Sequence, residues 1–203
     1  MVPGRRGIRL IVGLGNPGRE YEATRHNVGA MVVRQLVRGR RARWQFDQLA
    51  RGFVHAQCRR PGGVIRAIAP LGGGRLVMMN EFGTAVSAAA ALWRPEPQDI
   101  LLVVDDVNLP LGTLRLRPEG SSGGHHGLAS CLERLGTEAV PRLRVGVGRE
   151  DLPRDLTEFV LSRFDKDERP RLRDVVTRAV EACELWAAKG IDTAMNDINR
   201  VPE

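Results

Sequence analysis

Residues 8–37 read IRLIVGLGNPGREYEATRHNVGAMVVRQLV. Ile8 to Leu14 is a continuous apolar run broken only by Arg9, aliphatic enough for a buried strand. Gly15-Asn16-Pro17-Gly18 is a turn, and Thr24 is the expected N-cap of a helix from about Arg25 to Val37. Val28, Met31, Val32 and Leu36 recur there at helical spacing. A buried strand, a tight turn and an amphipathic helix form the opening unit of an α/β fold, and the rest of the chain keeps alternating in the same way.

Downstream, Phe53 to Cys58 and Val64 to Ile68 are β-like on either side of Pro61-Gly62-Gly63, which predicts a hairpin, and Leu76 to Met79 is a candidate third strand. Ala85 to Trp93 is an alanine-rich helix ended by Pro95. Ile100 to Val104 is an unbroken aliphatic run, a central buried strand that ends in Asp105-Asp106. Leu114 to Arg117 alternates. The glycine- and serine-rich stretch from Glu119 to Gly127 leads into a helix from about Leu128 to Leu135, and Arg142 to Gly148 is another strand. Asp167 to Lys189 carries Leu172, Val175, Val176, Ala179, Val180, Cys183 and Trp186 on one stripe, a long helix closed by Gly190. No repeat or linker divides the chain. The expected architecture is a single globular α/β domain over residues 1–203 with its core at about 8–198: a mixed, mostly parallel β-sheet with helices on both faces.

Composition narrows the function. The alanine-rich run Phe82 to Trp93 is 12 residues, well short of the roughly 20 apolar residues of a membrane-spanning helix, so no membrane association is expected. Only residues 1–7 precede the first apolar run, which leaves no room for a secretory signal, and the expected location is the cytoplasm. Cys58, Cys131 and Cys183 are odd in number and widely spaced, as reduced, buried thiols would be. The net charge is +7, and all of the 31 basic side chains except Lys166 and Lys189 are arginine. Guanidinium groups pair bidentately with phosphate oxygens, so a polyanion partner is compatible with this charge.

Three short motifs fail on their context. Gly13-Leu14-Gly15-Asn16-Pro17-Gly18 fits G-x-G-x-x-G, but Pro17 has no amide to offer a pyrophosphate and the helix starts beyond the glycines. Gly120-Ser121-Ser122-Gly123-Gly124 fits the nucleophile elbow G-x-S-x-G, yet no histidine follows His126 to complete a triad. Adjacent His125 and His126 diverge and lack further ligands in sequence, so no metal and no cofactor are expected.

What remains is a set of polar residues where apolar strands end. Asn16 lies in the first loop, His26 in the first turn of the next helix, Asn80 after the Leu76 to Met79 run, and Asp105 after the Ile100 to Val104 run. The crevice beyond the carboxyl ends of parallel strands is the usual place for chemistry in such sheets, and all four are expected at that rim. The start of a helix favours the neutral, proton-accepting imidazole of His26. A carboxylate such as Asp105 then fixes its tautomer, and with no Ser or Cys nucleophile the attacking species is water.

These same residues carry a family resemblance. Gly13 to Gly18 with Tyr21, Thr24-Arg25-His26-Asn27 and Gly29 resembles the N-terminal signature of bacterial-type peptidyl-tRNA hydrolase. Met79-Asn80 with Gly83 and Ala85-Val86 follows in the family's order, then Asp105 with Leu109-Pro110 and Gly112, Gly123-Gly124-His125 with Gly127-Leu128, and Arg142 to Gly148. The similarity spans about Ile8 to Asn196. It implies a monomeric, cofactor-free esterase that cleaves the bond between peptide and tRNA, with tRNA as partner. It further implies a catalytic set of His26 as base, Asp105 as its orienting carboxylate and Asn16 beside the ester. Tyr21, Met78, Asn80 and His126 fall on substrate-contacting positions, and Arg117 and Arg144 on positions that clamp a tRNA phosphate. The chain departs from the pattern at His126, in place of Asn, at Phe82, in place of Ser, and at Arg75-Leu76-Val77, in place of Pro-x-Thr. The alternatives are a non-catalytic RNA-binding relative of the same fold and, more distantly, a nucleotide binder built on the glycine turn.

Overall fold

The computed structural model describes residues 7–39, 42–45, 53–60, 63–70 and 78–200. β1 (Ile8–Gly13) is central, with β4 (Gly63–Pro70) parallel on one side and β5 (Ile100–Pro110) parallel on the other. β7 (Arg142–Gly148) continues the parallel run beside β5. Outside this centre, β2 (Trp44–Gln45), β3 (Phe53–Arg60) and β6 (Leu114–Arg117) pair antiparallel, giving the order β2-β3-β4-β1-β5-β7-β6. The sheet is mixed, as expected, but not mostly parallel, since three of its six pairings are antiparallel. Short connections are the cause. Arg60 pairs with Gly63, so β3 and β4 form a hairpin, and hairpin strands are antiparallel. After β5 the chain reverses through Gly112, whose φ of +101° suits a glycine, and β6 therefore runs against β7.

Side-chain alternation explains the two layers. Ile11, Leu101, Val103, Leu143 and Val145 pack under α1 (Val28–Gly39), α5 (Arg169–Lys189) and α6 (Ile191–Ile198), which bury Val28, Val32, Leu36, Val175, Trp186 and Ala194. Leu10, Val12, Leu102 and Val104 face α2 (Gly83–Trp93) and α3 (His126–Leu135) through Val86, Leu128 and Leu132. The short α4 (Leu156–Leu161) follows β7. Cys58, Cys131 and Cys183 are buried, the expected filler role, and burial pushes the Cys131 thiol up to about 12. Among the described residues no helix is long and apolar enough to cross a membrane.

Several boundaries move. The first helix opens with a 3-10 turn, Arg25–Asn27, before α1, and the Thr24 hydroxyl donates back to the Tyr21 carbonyl at 2.8 Å instead of capping. Met79 begins another 3-10 turn, Met79–Glu81, in place of the expected strand end, while Leu76 and Val77 lie outside the described residues. Arg75 also lies outside them, as do Pro61 and Gly62 of the expected hairpin turn. β5 runs past Asp105-Asp106 to Pro110, with a register shift between Asp106 and Pro110.

Candidate active site

The C-terminal end of β1 and the middle of β5 face the start of α1 at very close range. A Cβ at Gly29 would overlap the Val103 carbonyl, and one at Gly13 would overlap the Gly29 carbonyl. Only glycines let helix and strands approach this closely, and the approach carries the Arg25–Asn27 turn to Asp105 in the middle of β5. Arg25 fixes the turn from behind. Its side chain is 1% exposed, lies over the rings of Phe159 and Phe164, and donates to Glu168 at 2.9 Å and to the Val147 carbonyl at 3.2 Å.

In front of Arg25, His26 Nδ1 lies 2.8 Å from Asp105 Oδ1. A carboxylate only accepts, so Nδ1 carries the proton and Nε2 is left as a bare acceptor. The same oxygen, Oδ1, lies 2.9 Å from His125 Nε2. His125 is the N-cap of α3, and its Nδ1 accepts the Leu128 N–H at 3.1 Å. That bond fixes the second tautomer: Nε2 of His125 is the donor to Asp105. The two rings stand 4.9 Å apart at 38°. Sequence reading placed His125 only within a motif and missed this bond, which joins residues 20 apart in the chain. The available signal was a histidine directly before a helix, at a cap position where Ser, Thr, Asp or Asn is commoner.

Charge follows from this geometry. Burial alone would raise the Asp105 pKa, but His125 and His26 hold it well below the ordinary carboxylate range, so it is ionised. Burial alone would lower the His125 pKa, and the Asp105 carboxylate outweighs it and raises the value. A proton on His125 Nδ1 would remove the acceptor for Leu128, so a charged His125 and the helix cap exclude one another. The ligand atoms of His26, Asp105 and His125 lie within 4.8 Å of one another, a spacing that suits an ion. Both ring nitrogens that face the carboxylate are N–H donors, however, so the set is built to share protons rather than to offer lone pairs.

Asn16 is tied to this triad through Asn27. Asn16 N donates to Asn27 Oδ1 and Asn27 Nδ2 donates to Asn16 O, both at 2.8 Å. Asn16 Oδ1 accepts the Met79 N–H at 2.9 Å, which orients the amide and leaves its Nδ2 with no described acceptor. Asn80 is the next residue in that turn and is exposed, and Met78, just before it, is half-buried. Tyr21 is half-buried in the loop ahead of His26, and His126 is exposed at the first position of α3. The structure thus joins His26 to Asp105 directly, ties Asn16 to their turn through Asn27, and places Met79, between Met78 and Asn80, against Asn16. It shows no bond from His126 to them among the described residues.

The basic residues lie on the α2 and α3 side of the sheet. Arg117 is exposed at the end of β6, opposite Arg142, and Arg144 lies opposite Arg115. Arg142 is turned inward, donating to the carbonyls of Val140, Gly120, Ser121 and Glu138, and so anchors the glycine-rich loop that leads to His125. Arg115 was not singled out in sequence, although its alternation with Leu114 and Leu116 places it beside Arg117.

A family model described as peptidyl-tRNA hydrolase matches residues 10–203. The peptidyl-tRNA hydrolase of Gloeobacter violaceus is 42% identical over 95% of this chain and 94% of its own, and that of Aquifex aeolicus is 42% identical over 95% and 97%. The crystal structure of peptidyl-tRNA hydrolase from Acinetobacter baumannii superposes with a TM-score of 0.85 at 28% identity, covering 97% of both chains.

Proposed function

The chain belongs to the peptidyl-tRNA hydrolase family, and on that premise we propose that it hydrolyses the ester between peptide and tRNA with water as nucleophile and His26 as general base. The observation that carries the reading is the shared oxygen of Asp105, which binds His26 Nδ1 and leaves Nε2 as a lone pair. His26 Nε2 takes a proton from water as the water oxygen attacks the ester carbonyl. The resulting imidazolium is stabilised by the ionised Asp105 and returns the proton to the leaving 3′ oxygen of the ribose. His125 holds Asp105 in place by donating to it, a positioning role. The Asn16 amide, oriented by Met79 and Asn27, has its Nδ2 free to donate to the substrate. Tyr21, Met78, Asn80 and His126 contact the peptidyl end, and Arg117 and Arg144 bind phosphate. The site works as a monomer without metal or cofactor.

The test is to incubate the protein with N-acetylated aminoacyl-tRNA and with free aminoacyl-tRNA. Cleavage of the acetylated substrate alone is the expected result. Binding of both without cleavage of either would make the chain a non-catalytic RNA-binding relative.

A further inference from the structure

Asp105 and Asp106 are consecutive on β5, so their side chains leave the strand on opposite faces. The first serves the histidines. Asp106, 8% exposed, is committed elsewhere: Oδ1 accepts the Asn108 N–H at 2.9 Å and Oδ2 accepts the Nε–H of Arg144. With an oxygen fixed on each side, this carboxylate is a rigid mount. Arg144 uses only Nε to hold it. The N–H groups of both Nη atoms donate to no described group, and the side chain is 35% exposed.

The surroundings of Arg144 call for an anion. Arg115 stands directly across from it and Arg117 across from Arg142, and like charges facing each other across strands are unfavourable unless compensated. Arg142 is occupied with backbone carbonyls, which leaves Arg115, Arg117 and Arg144 on this face.

We propose that Asp106 is a positioning residue for RNA capture: by holding Arg144 through Nε it presents the paired Nη edge to a phosphate. This rests on the reading of the chain as a tRNA-binding esterase. A guanidinium serves two anions at once because its N–H groups lie on separate edges. A lysine ammonium at the same place has one charged point, which Asp106 would take for itself. Removing a carboxylate from a polyanion-binding face should tighten binding on charge grounds alone, so the positioning role and the bare electrostatic effect have opposite signs.

The experiment measures binding of deacylated tRNA, and kcat and KM on N-acetylated aminoacyl-tRNA, for Asp106→Asn, Arg144→Ala, Arg144→Lys and the double variant Asp106→Asn with Arg144→Lys. The amide introduced by Asp106→Asn keeps a carbonyl for the Asn108 N–H but turns an N–H donor toward Arg144. Asp106→Asn is expected to weaken binding about fivefold, the scale of one impaired charge-assisted contact, with the loss mainly in KM. Arg144→Lys is expected to bind almost as poorly as Arg144→Ala. Adding Asp106→Asn to Arg144→Lys is then expected to strengthen binding, because the ammonium is released. Unchanged or tighter binding by Asp106→Asn alone, or an Arg144→Lys variant that binds like the native protein, would overturn the proposal while leaving the esterase reading intact. Native affinity in Arg144→Ala would overturn both this proposal and the assignment of Arg144 to phosphate.

Discussion

At the scale of single residues, the site is organised around one oxygen atom. Asp105 Oδ1 meets two imidazole N–H groups, so each histidine has a fixed tautomer and His26 Nε2 has nothing to do but accept. His26→Ala is expected to lower the rate by at least the roughly 100-fold that loss of a general base costs, with the fold retained. Single-turnover cleavage together with a thermal melt checks this, and near-native turnover would refute the assignment. Asp105→Asn tests the orienting role and carries a pH signature. The native pKa of Asp105 is depressed below its ordinary value of 3.8. Its stabilising contribution is therefore present above about 3.8 and lost as pH falls through the native value. Urea titrations of the two proteins at pH 5 and below should show a gap in stability that narrows as the solution is acidified below about 4. A gap that widens in acid would mean that the carboxyl is neutral in the folded state.

At the scale of elements, the legible parts were those whose signals are local. β1, α1 and the β3–β4 hairpin follow from aliphatic runs, helical periodicity and a glycine turn within a few residues of one another. Asn16, His26 and Asp105 were legible too, because each sits where such a run stops. What was not legible depends on contacts made late in the chain. Arg25 looks like any basic residue in a turn until Glu168, Phe159 and Phe164 close around it. The long register of β5 past its acidic pair, the antiparallel edge at β6 and the part of His125 in the triad all need partners more than a dozen residues away. Arg142 is of the same kind: in sequence it belongs to a basic strand, and in the structure it ties β7 to the loop before α3. Arg142→Ala removes bonds to four carbonyls, so a loss on the order of 2–3 kcal/mol in urea denaturation is expected. Amide exchange should also quicken through residues 119–125 while β1 stays protected. A variant as stable as the native protein, with an unchanged loop, would show that the carbonyls find water equally well.

At the scale of the whole molecule, the chemistry and the charge meet along one sheet. β5 carries Asp105 of the triad in mid-strand, and its neighbour β7, with β6 beyond, carries the arginines on the α2 and α3 side, so a single layer sets the distance between triad and arginines. The net charge of +7 favours any polyanion, but a general attraction and a local clamp differ in how they answer to the position of a charge. Each phosphate contact releases about one counterion, so replacing Arg117 and Arg144 together by Ala should weaken tRNA binding and flatten the log–log salt dependence by about one to two units. The matching control removes the same charge from the opposite side: Arg169 and Arg173 are exposed on α5, which packs on the α1 face of the sheet. Replacing those two by Ala should leave the salt slope close to native. Titrations of tRNA at several salt concentrations decide between the two. If both double variants flatten the slope equally, net charge alone draws the RNA, and the arginines of β6 and β7 form no phosphate clamp.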